Sequence, residues 1–178
     1  HEPVIGWLGR LHPHKDVSTA IRAFALARSR SSALGQIQML IGGDGVEAKK
    51  ARELIRELGL EDAVKLCGPI ADVPSFLGRL DLFLISSITE GLPLVLLEAM
   101  AAEVPVVSTD VGGISEVLNG YGRICHPGDP DGMAAQICGV LEAPAAAREL
   151  AQQARKRVLD RYSADIMLDK YQRLYEGA

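Results

Sequence analysis

The chain has 178 residues, enough for one domain or one half of a two-lobed protein. It is 48% hydrophobic but only 4% aromatic, so a sizeable core can form and aliphatic side chains must fill most of it. A net charge of −4 speaks against a general nucleic-acid or membrane-binding surface, and no apolar run approaches the roughly 20 residues of a membrane span.

The sequence begins without Met or a signal peptide and enters an apolar run almost at once, at Val4-Ile5-Gly6-Trp7-Leu8-Gly9. It reads as a fragment whose upstream half is missing, with His1 an extraneous first residue. Val4–Leu8 is predicted as the first strand. Val17, Ala20, Ile21, Phe24 and Ala25 then recur at helical spacing, with Asp16 as the cap. Ile37–Ile41 is the second strand. Ala51, Leu54, Ile55 and Leu58 mark a helix that Gly59 ends, and Val64–Cys67 is a short third strand. A brief helix over Val73–Leu80 precedes a fourth strand at Leu82–Ile85. Pro93, in a first helical turn, opens a helix through Ala102. Val104–Ser108 and Arg123–Cys125 are the last two strands. Asp129-Pro130 starts a helix in the cap-plus-proline pattern, and two more follow near Ala145–Arg161 and Ser163–Tyr175. The Ala143–Ala147 stretch joins helices rather than domains. Strands separated by helices predict a single α/β domain over 1–178, a Rossmann-like, doubly wound parallel sheet of about six strands flanked by helices.

In such sheets ligands bind beyond the carboxyl ends of the strands, where neighbouring strands connect in opposite directions. In the common doubly wound order that point lies between the first and fourth strands. The first strand ends in Gly9-Arg10-Leu11-His12-Pro13-His14-Lys15, and the fourth in Ser86-Ser87-Ile88-Thr89-Glu90-Gly91. Arg10 suits phosphate oxygens bidentately and Lys15 adds a mobile point charge. The helix opening near Pro93 offers free N–H groups and a positive dipole end. Leu94 and Val95 supply those donors, because proline has no N–H. Glu98 can accept two hydrogen bonds from a ribose diol, and Glu90 can accept hydroxyls beyond the phosphates. The set suits a nucleotide diphosphate carrying a sugar.

Taken singly, each residue has an ordinary reading. Arg10 and Lys15 are loop charges, Glu90 complements a helix dipole, and Glu98 is a solvated helix residue. Gly42-Gly43-Asp44-Gly45 is a turn, and Val111-Gly112-Gly113 fits a turn or a close backbone approach. His12 and His14 read as loop residues rather than functional ones. Cys67, Cys125 and Cys138 form no C-x-x-C pair and read as buried thiols of a reducing compartment. His12, His14 and His126 lack ligand spacing with them, so no metal site is expected.

In order, these residues resemble the C-terminal, donor-binding half of retaining glycosyltransferases of the GT-B fold. These are the E-x7-E, group 1 type, which includes many lipopolysaccharide and exopolysaccharide sugar transferases. The likeness covers nearly all of the chain. Gly9-Arg10…Lys15 looks like the family's diphosphate loop, Gly42-Gly43-Asp44-Gly45 like its glycine turn, and Gly68 falls in the segment that approaches the base. Glu90 and Glu98 match the two acids of its signature. Glu98-Ala99-Met100-Ala101-Ala102, Pro105-Val106-Val107, Gly112, Gly113 and Glu116 continue it.

The resemblance implies a catalytic set of Arg10, Lys15 and Glu90. Its donor-nucleotide site would be formed by Gly9, Arg10, Lys15, Gly43, Gly68, Leu94, Val95 and Glu98. Arg10 and Lys15 would neutralise the diphosphate leaving group, Glu98 hold the ribose, and Glu90 contact donor-sugar hydroxyls. The family usually needs no metal, and no cofactor is implied beyond the nucleotide-sugar substrate. Transfer of a hexose, to a glycan, lipid or other acceptor, would retain anomeric configuration by front-face attack. The acceptor site would lie in an N-terminal half absent from this chain, so the isolated domain is expected to bind nucleotide without transferring sugar. The resemblance further implies a cytoplasmic protein, peripherally associated with the inner face of the membrane through the missing half, and no nucleic-acid partner. The last helix would pack back on that half, leaving Tyr171, Leu174 and Tyr175 partly exposed here.

Two departures stand out: Pro93 where the family often has Gly, and Glu103 where a small Gly is common. Glu103 is expected on the surface without a role. A GT-B nucleotide-sugar epimerase and a non-catalytic nucleotide-binding module remain the alternatives. An NAD-binding domain fails, because Gly6-Trp7-Leu8-Gly9-Arg10-Leu11-His12 breaks the G-x-G-x-x-G fingerprint. A receiver domain fails for want of an acid ending the third strand, where Cys67-Gly68 stands.

Overall fold

The structure, a computed structural model, describes residues 2–30 and 36–177; His1 lies outside them. Six strands form one sheet: β1 (Val4–Leu8), β2 (Gln38–Gly42), β3 (Val64–Gly68), β4 (Leu82–Ile85), β5 (Val106–Thr109) and β6 (Arg123–Cys125). Their order is β3-β2-β1-β4-β5-β6, and every pair is parallel. This is the expected doubly wound sheet, with β1 between β2 and β4: Trp7 stands opposite Ile41 on one side and Leu84 on the other. The winding reverses between β1 and β4.

The helices are α1 (Val17–Arg30), α2 (Ala48–Glu57), α3 (Val73–Leu77), α4 (Leu94–Ala101), α5 (Ile114–Leu118), α6 (Pro130–Leu141), α7 (Pro144–Arg161) and α8 (Ala164–Tyr175). The period-two alternation of the strands divides the core. Ile5, Trp7, Met39, Ile41, Leu82 and Leu84 pack with residues of α1, α2 and α6. Leu40, Phe83, Ile85 and Val106 pack with residues of α3, α4, α5 and α7. Central strands covered on both faces read as unbroken apolar runs, as Leu82–Ile85 does.

Caps set the helix starts. The Asp16 carboxylate accepts the Thr19 N–H at 3.2 Å and the Thr19 hydroxyl at 2.6 Å, opening α1 as expected. Asp129 accepts the Gly132 N–H at 2.9 Å, with Pro130 at the first position of α6. α7 in turn closes two helix ends: Arg155 donates to the Ala101 carbonyl, and Arg157 to those of Glu116 and Val117, each at 2.8 Å.

Several boundaries differ from the sequence reading. Pro93 is the residue before α4, extended at ψ 121, rather than its first helical residue. β5 starts at Val106, because Pro105 has no N–H for the ladder. α3 stops at Leu77, before Gly78. α7 begins at Pro144, one residue before the expected start, so only Ala143 of the Ala143–Ala147 stretch is connection. α5 and a 3-10 turn at Pro13–Lys15 were not expected; both are too short to show a helical period.

No helix among the described residues is long and apolar enough to cross a membrane. α8 has no buried residue, and Met167, Leu168, Tyr171, Leu174 and Tyr175 are all more than half exposed along it.

Candidate functional site

The carboxyl ends of the strands collect the polar groups that the rest of the interior excludes. Among the described residues, the buried polar side chains are Thr19, Ser86, Ser87, Ser108 and Thr109. All but Thr19 lie at the ends of β4 and β5. Each hydroxyl there has a partner, as burial requires. Ser86 Oγ accepts from Trp7 Nε1 at 3.0 Å and donates to the Lys15 carbonyl at 2.9 Å. Thr109 Oγ1 donates to the Ser87 carbonyl at 2.7 Å, and Ser87 Oγ to Glu90 Oε1 at 2.7 Å. Ser108 Oγ donates to the Thr109 carbonyl.

Three predicted glycines meet where β1, β2 and β3 end. The Gly9 N–H donates to the Gly42 carbonyl at 3.1 Å, and the Gly43 N–H to the Gly68 carbonyl at 2.7 Å. Gly43 has φ +120, and a Cβ there would lie 1.8 Å from the Gly9 carbonyl oxygen. Only glycine allows this approach.

The loop after β1 then turns toward β4. The Ile88 N–H donates to the His14 carbonyl at 2.8 Å, and Lys15 Nζ forms an ion pair and hydrogen bond with Glu90 Oε1. The loop after β5 backs this contact. Gly113 N–H donates to the Gly91 carbonyl at 3.0 Å, and a Cβ on Gly112 would lie 2.1 Å from the Glu90 carbonyl oxygen. Trp7, Lys15, Ser87, Glu90 and Val95 line a small hollow here. Larger hollows open elsewhere, beside Pro105 and Val140 and along α2, lined by none of the residues assigned to the donor site.

Arg10 and Glu98 are exposed and bond to no side chain among the described residues. α4 carries no side-chain cap, so the N–H groups of Leu94 and Val95 in its first turn have no partner inside the helix. Glu116 is exposed in the first turn of α5. His12 and His14 stack, with ring centroids 5.0 Å apart, and take no part in the ion pair.

The expectation of three buried thiols needs correction. Cys125 is buried, but Cys67 and Cys138 are only half-buried, because the short edge strand β3 and the outer face of α6 cover them incompletely. Burial, and then the Asp129 charge, push the Cys125 thiol up to about 11. No cluster of three or more potential metal ligands occurs among the described residues.

Residues 1–157 match the family model described as glycosyl transferases group 1. The chain belongs to that family. It is 32% identical over 176 residues to N-acetyl-alpha-D-glucosaminyl L-malate synthase of Bacillus anthracis, covering 98% of this chain and 45% of that protein. It is 35% identical over 156 residues to glycogen synthase of Mycobacterium tuberculosis, covering 85% of this chain and 37% of that one. The chain thus spans less than half the length of these curated relatives. Among solved structures, Anabaena HepE in complex with UDP and glucose superimposes with a TM-score of 0.91 at 26% identity, over 99% of this chain and 49% of that one. S. aureus TarM, in complex with fondaparinux, alpha-GlcNAc-glycerol and UDP, gives 0.89 at 26% identity, over 98% and 35%. The fold is therefore one half of a GT-B glycosyltransferase architecture.

Two residues of this group 1 domain had no role in the sequence reading. Ser86 donates to the Lys15 carbonyl and Ser87 to the Glu90 carboxylate. The available signal was two hydroxyls directly after a fully apolar strand, at the switch point.

Proposed function

We propose that this group 1 domain is the donor-binding half of a retaining glycosyltransferase. It would serve transfer of a hexose from a nucleotide-diphosphate sugar to a glycan, lipid or other acceptor. One observation carries the reading: the Lys15–Glu90 pair bridges the β1 and β4 loops, and the uncapped start of α4 follows Glu90 within the same loop. The UDP complexes of HepE and TarM support a nucleotide donor.

The chemistry follows from the groups present. Lys15 has three N–H donors, and its bond to Glu90 leaves others for a diphosphate. Arg10 and the Leu94 and Val95 amides add to the field that stabilises charge on the departing phosphate. Such preorganised charge would supply the main catalytic contribution of this half, without need of a metal. Glu98 takes the ribose hydroxyls, and Glu90 the hydroxyls of the sugar. Gly9, Gly43 and Gly68 let backbone approach the nucleotide. Acceptor binding belongs to an N-terminal half, onto which the exposed apolar residues of α8 fold. The whole enzyme works in the cytoplasm, with that half at the inner face of the membrane.

Equilibrium dialysis with UDP, GDP and ADP, run beside a sugar-transfer assay, tests this. Binding of one nucleotide without turnover is expected of the isolated chain. Normal turnover by the chain alone would contradict the assignment to a half-enzyme.

A further inference from the structure

Two consecutive serines after β4 each hold one member of the Lys15–Glu90 pair. Ser86 is fully buried. An indole N–H can only donate, so Trp7 occupies an acceptor site of Ser86 Oγ and leaves its single proton for the Lys15 carbonyl. The Lys15 backbone is thereby tied to the sheet. Ser87 is 2% exposed and donates to the same Glu90 oxygen that pairs with Lys15. Its carbonyl is held in turn by the fully buried Thr109 hydroxyl at 2.7 Å. Ser86 has no exposed surface, and Ser87 keeps only a sliver where it borders the small hollow beside Glu90.

Resting on the donor-binding reading above, we propose that Ser86 and Ser87 are positioning residues that preset the Lys15–Glu90 pair before a donor arrives. Ser86 acts through the Lys15 main chain and Ser87 through the Glu90 carboxylate. The pair divides its work between diphosphate and sugar, so the two serines have different signatures. Losing Ser87 weakens a sugar-bearing donor more than the bare nucleotide. Losing Ser86 weakens both alike.

Calorimetric titration of the whole chain with UDP and UDP-glucose, with a thermal melt of every variant, separates these effects. Ser87→Ala is expected to lower affinity for UDP-glucose about tenfold and for UDP less than about twofold, in line with loss of one hydrogen bond to a charged group. Ser87→Thr keeps the hydroxyl and restores binding. Ser87→Ala adds no loss in a Glu90→Ala background, where the acceptor of its hydrogen bond is gone, as expected for a residue acting through Glu90. Ser86→Ala and Trp7→Phe lower both affinities about fivefold. Where alanine proves too disruptive to fold, Ser87→Cys makes the same comparison with a weaker donor. Folded serine variants that bind both ligands like wild type would overturn the inference. So would equal losses for the two ligands in Ser87→Ala, or a further loss on top of Glu90→Ala. A folded wild-type chain that binds none of UDP, GDP and ADP would instead remove the nucleotide reading, and this inference with it; where GDP or ADP binds in place of UDP, that nucleotide and its glucose conjugate make the same comparison.

Discussion

Lys15 and Glu90, 75 positions apart in sequence, form an ion pair across the point where the winding of the sheet reverses. Their side chains are 30% and 11% exposed, so solvent screens the pair only in part. Lys15→Met should leave the Glu90 carboxylate with only the Ser87 hydroxyl and cost about 1–2 kcal/mol, less than breaking a fully buried pair. Glu90→Gln should cost less, since the amide oxygen can still accept from Ser87. Urea unfolding of the two variants checks the order.

Gly43 and Gly68 are hydrogen-bonded to each other but should differ sharply when substituted. A Cβ on Gly43 would overlap the Gly9 carbonyl, whereas one on Gly68 meets nothing within 4 Å despite φ +70. Gly68→Ala should cost about 1–2 kcal/mol of backbone strain alone. Gly43→Ala should cost more and shift the loop after β1. Denaturation midpoints, with spectra of the β1 loop amides, decide this.

Glu103 occupies a left-handed position at φ 58, at the turn leaving α4. It is exposed, as expected from the sequence, and its 3.6 Å pair with Arg155 is open to water. Glu103→Gly should remove about 1 kcal/mol of strain against a smaller loss of ion pairing and gain in unfolded-state entropy. A net rise in stability of about 0.5 kcal/mol is expected, read as a higher urea midpoint.

The raised Cys125 thiol gives a pH signature. Its value is about 11 in the folded protein against an ordinary 9.0. Between those values the folded state keeps a proton that the unfolded chain releases, so the contribution to stability is full below pH 9 and falls as pH rises toward 11. Cys125→Ala should lack that component of the alkaline decline in unfolding free energy. At pH 8 iodoacetamide should leave Cys125 unmodified in the folded chain and modify it once unfolded.

The sheet was legible because its central strands are unbroken apolar runs and its strands are separated by helix-length segments, which restricts the connections to few topologies. The ends of the elements were less so. Pro93 suits the residue before a helix as well as its first position, and only the backbone distinguishes them. α5 was illegible because five residues cannot display a period of 3.6. At the site, the convergence of Lys15 on Glu90 followed from strand order, and it is present. The burial of Ser86 and Ser87 did not follow, because two hydroxyls directly after an apolar strand suit an exposed turn as well as a covered one. It arises when the loops after β1 and β5 fold over the end of β4.

The central claim concerns Arg10 and Glu98, exposed residues that bond to no side chain among the described residues. Calorimetric titration of the chain with UDP, GDP and ADP, repeated on Arg10→Ala and Glu98→Ala, tests it most directly. Selective binding of one nucleotide is predicted, weakened about tenfold or more by each substitution while the melting temperature stays that of wild type. A folded chain that binds none of the three, or binds them equally well without Arg10 and Glu98, would contradict the account.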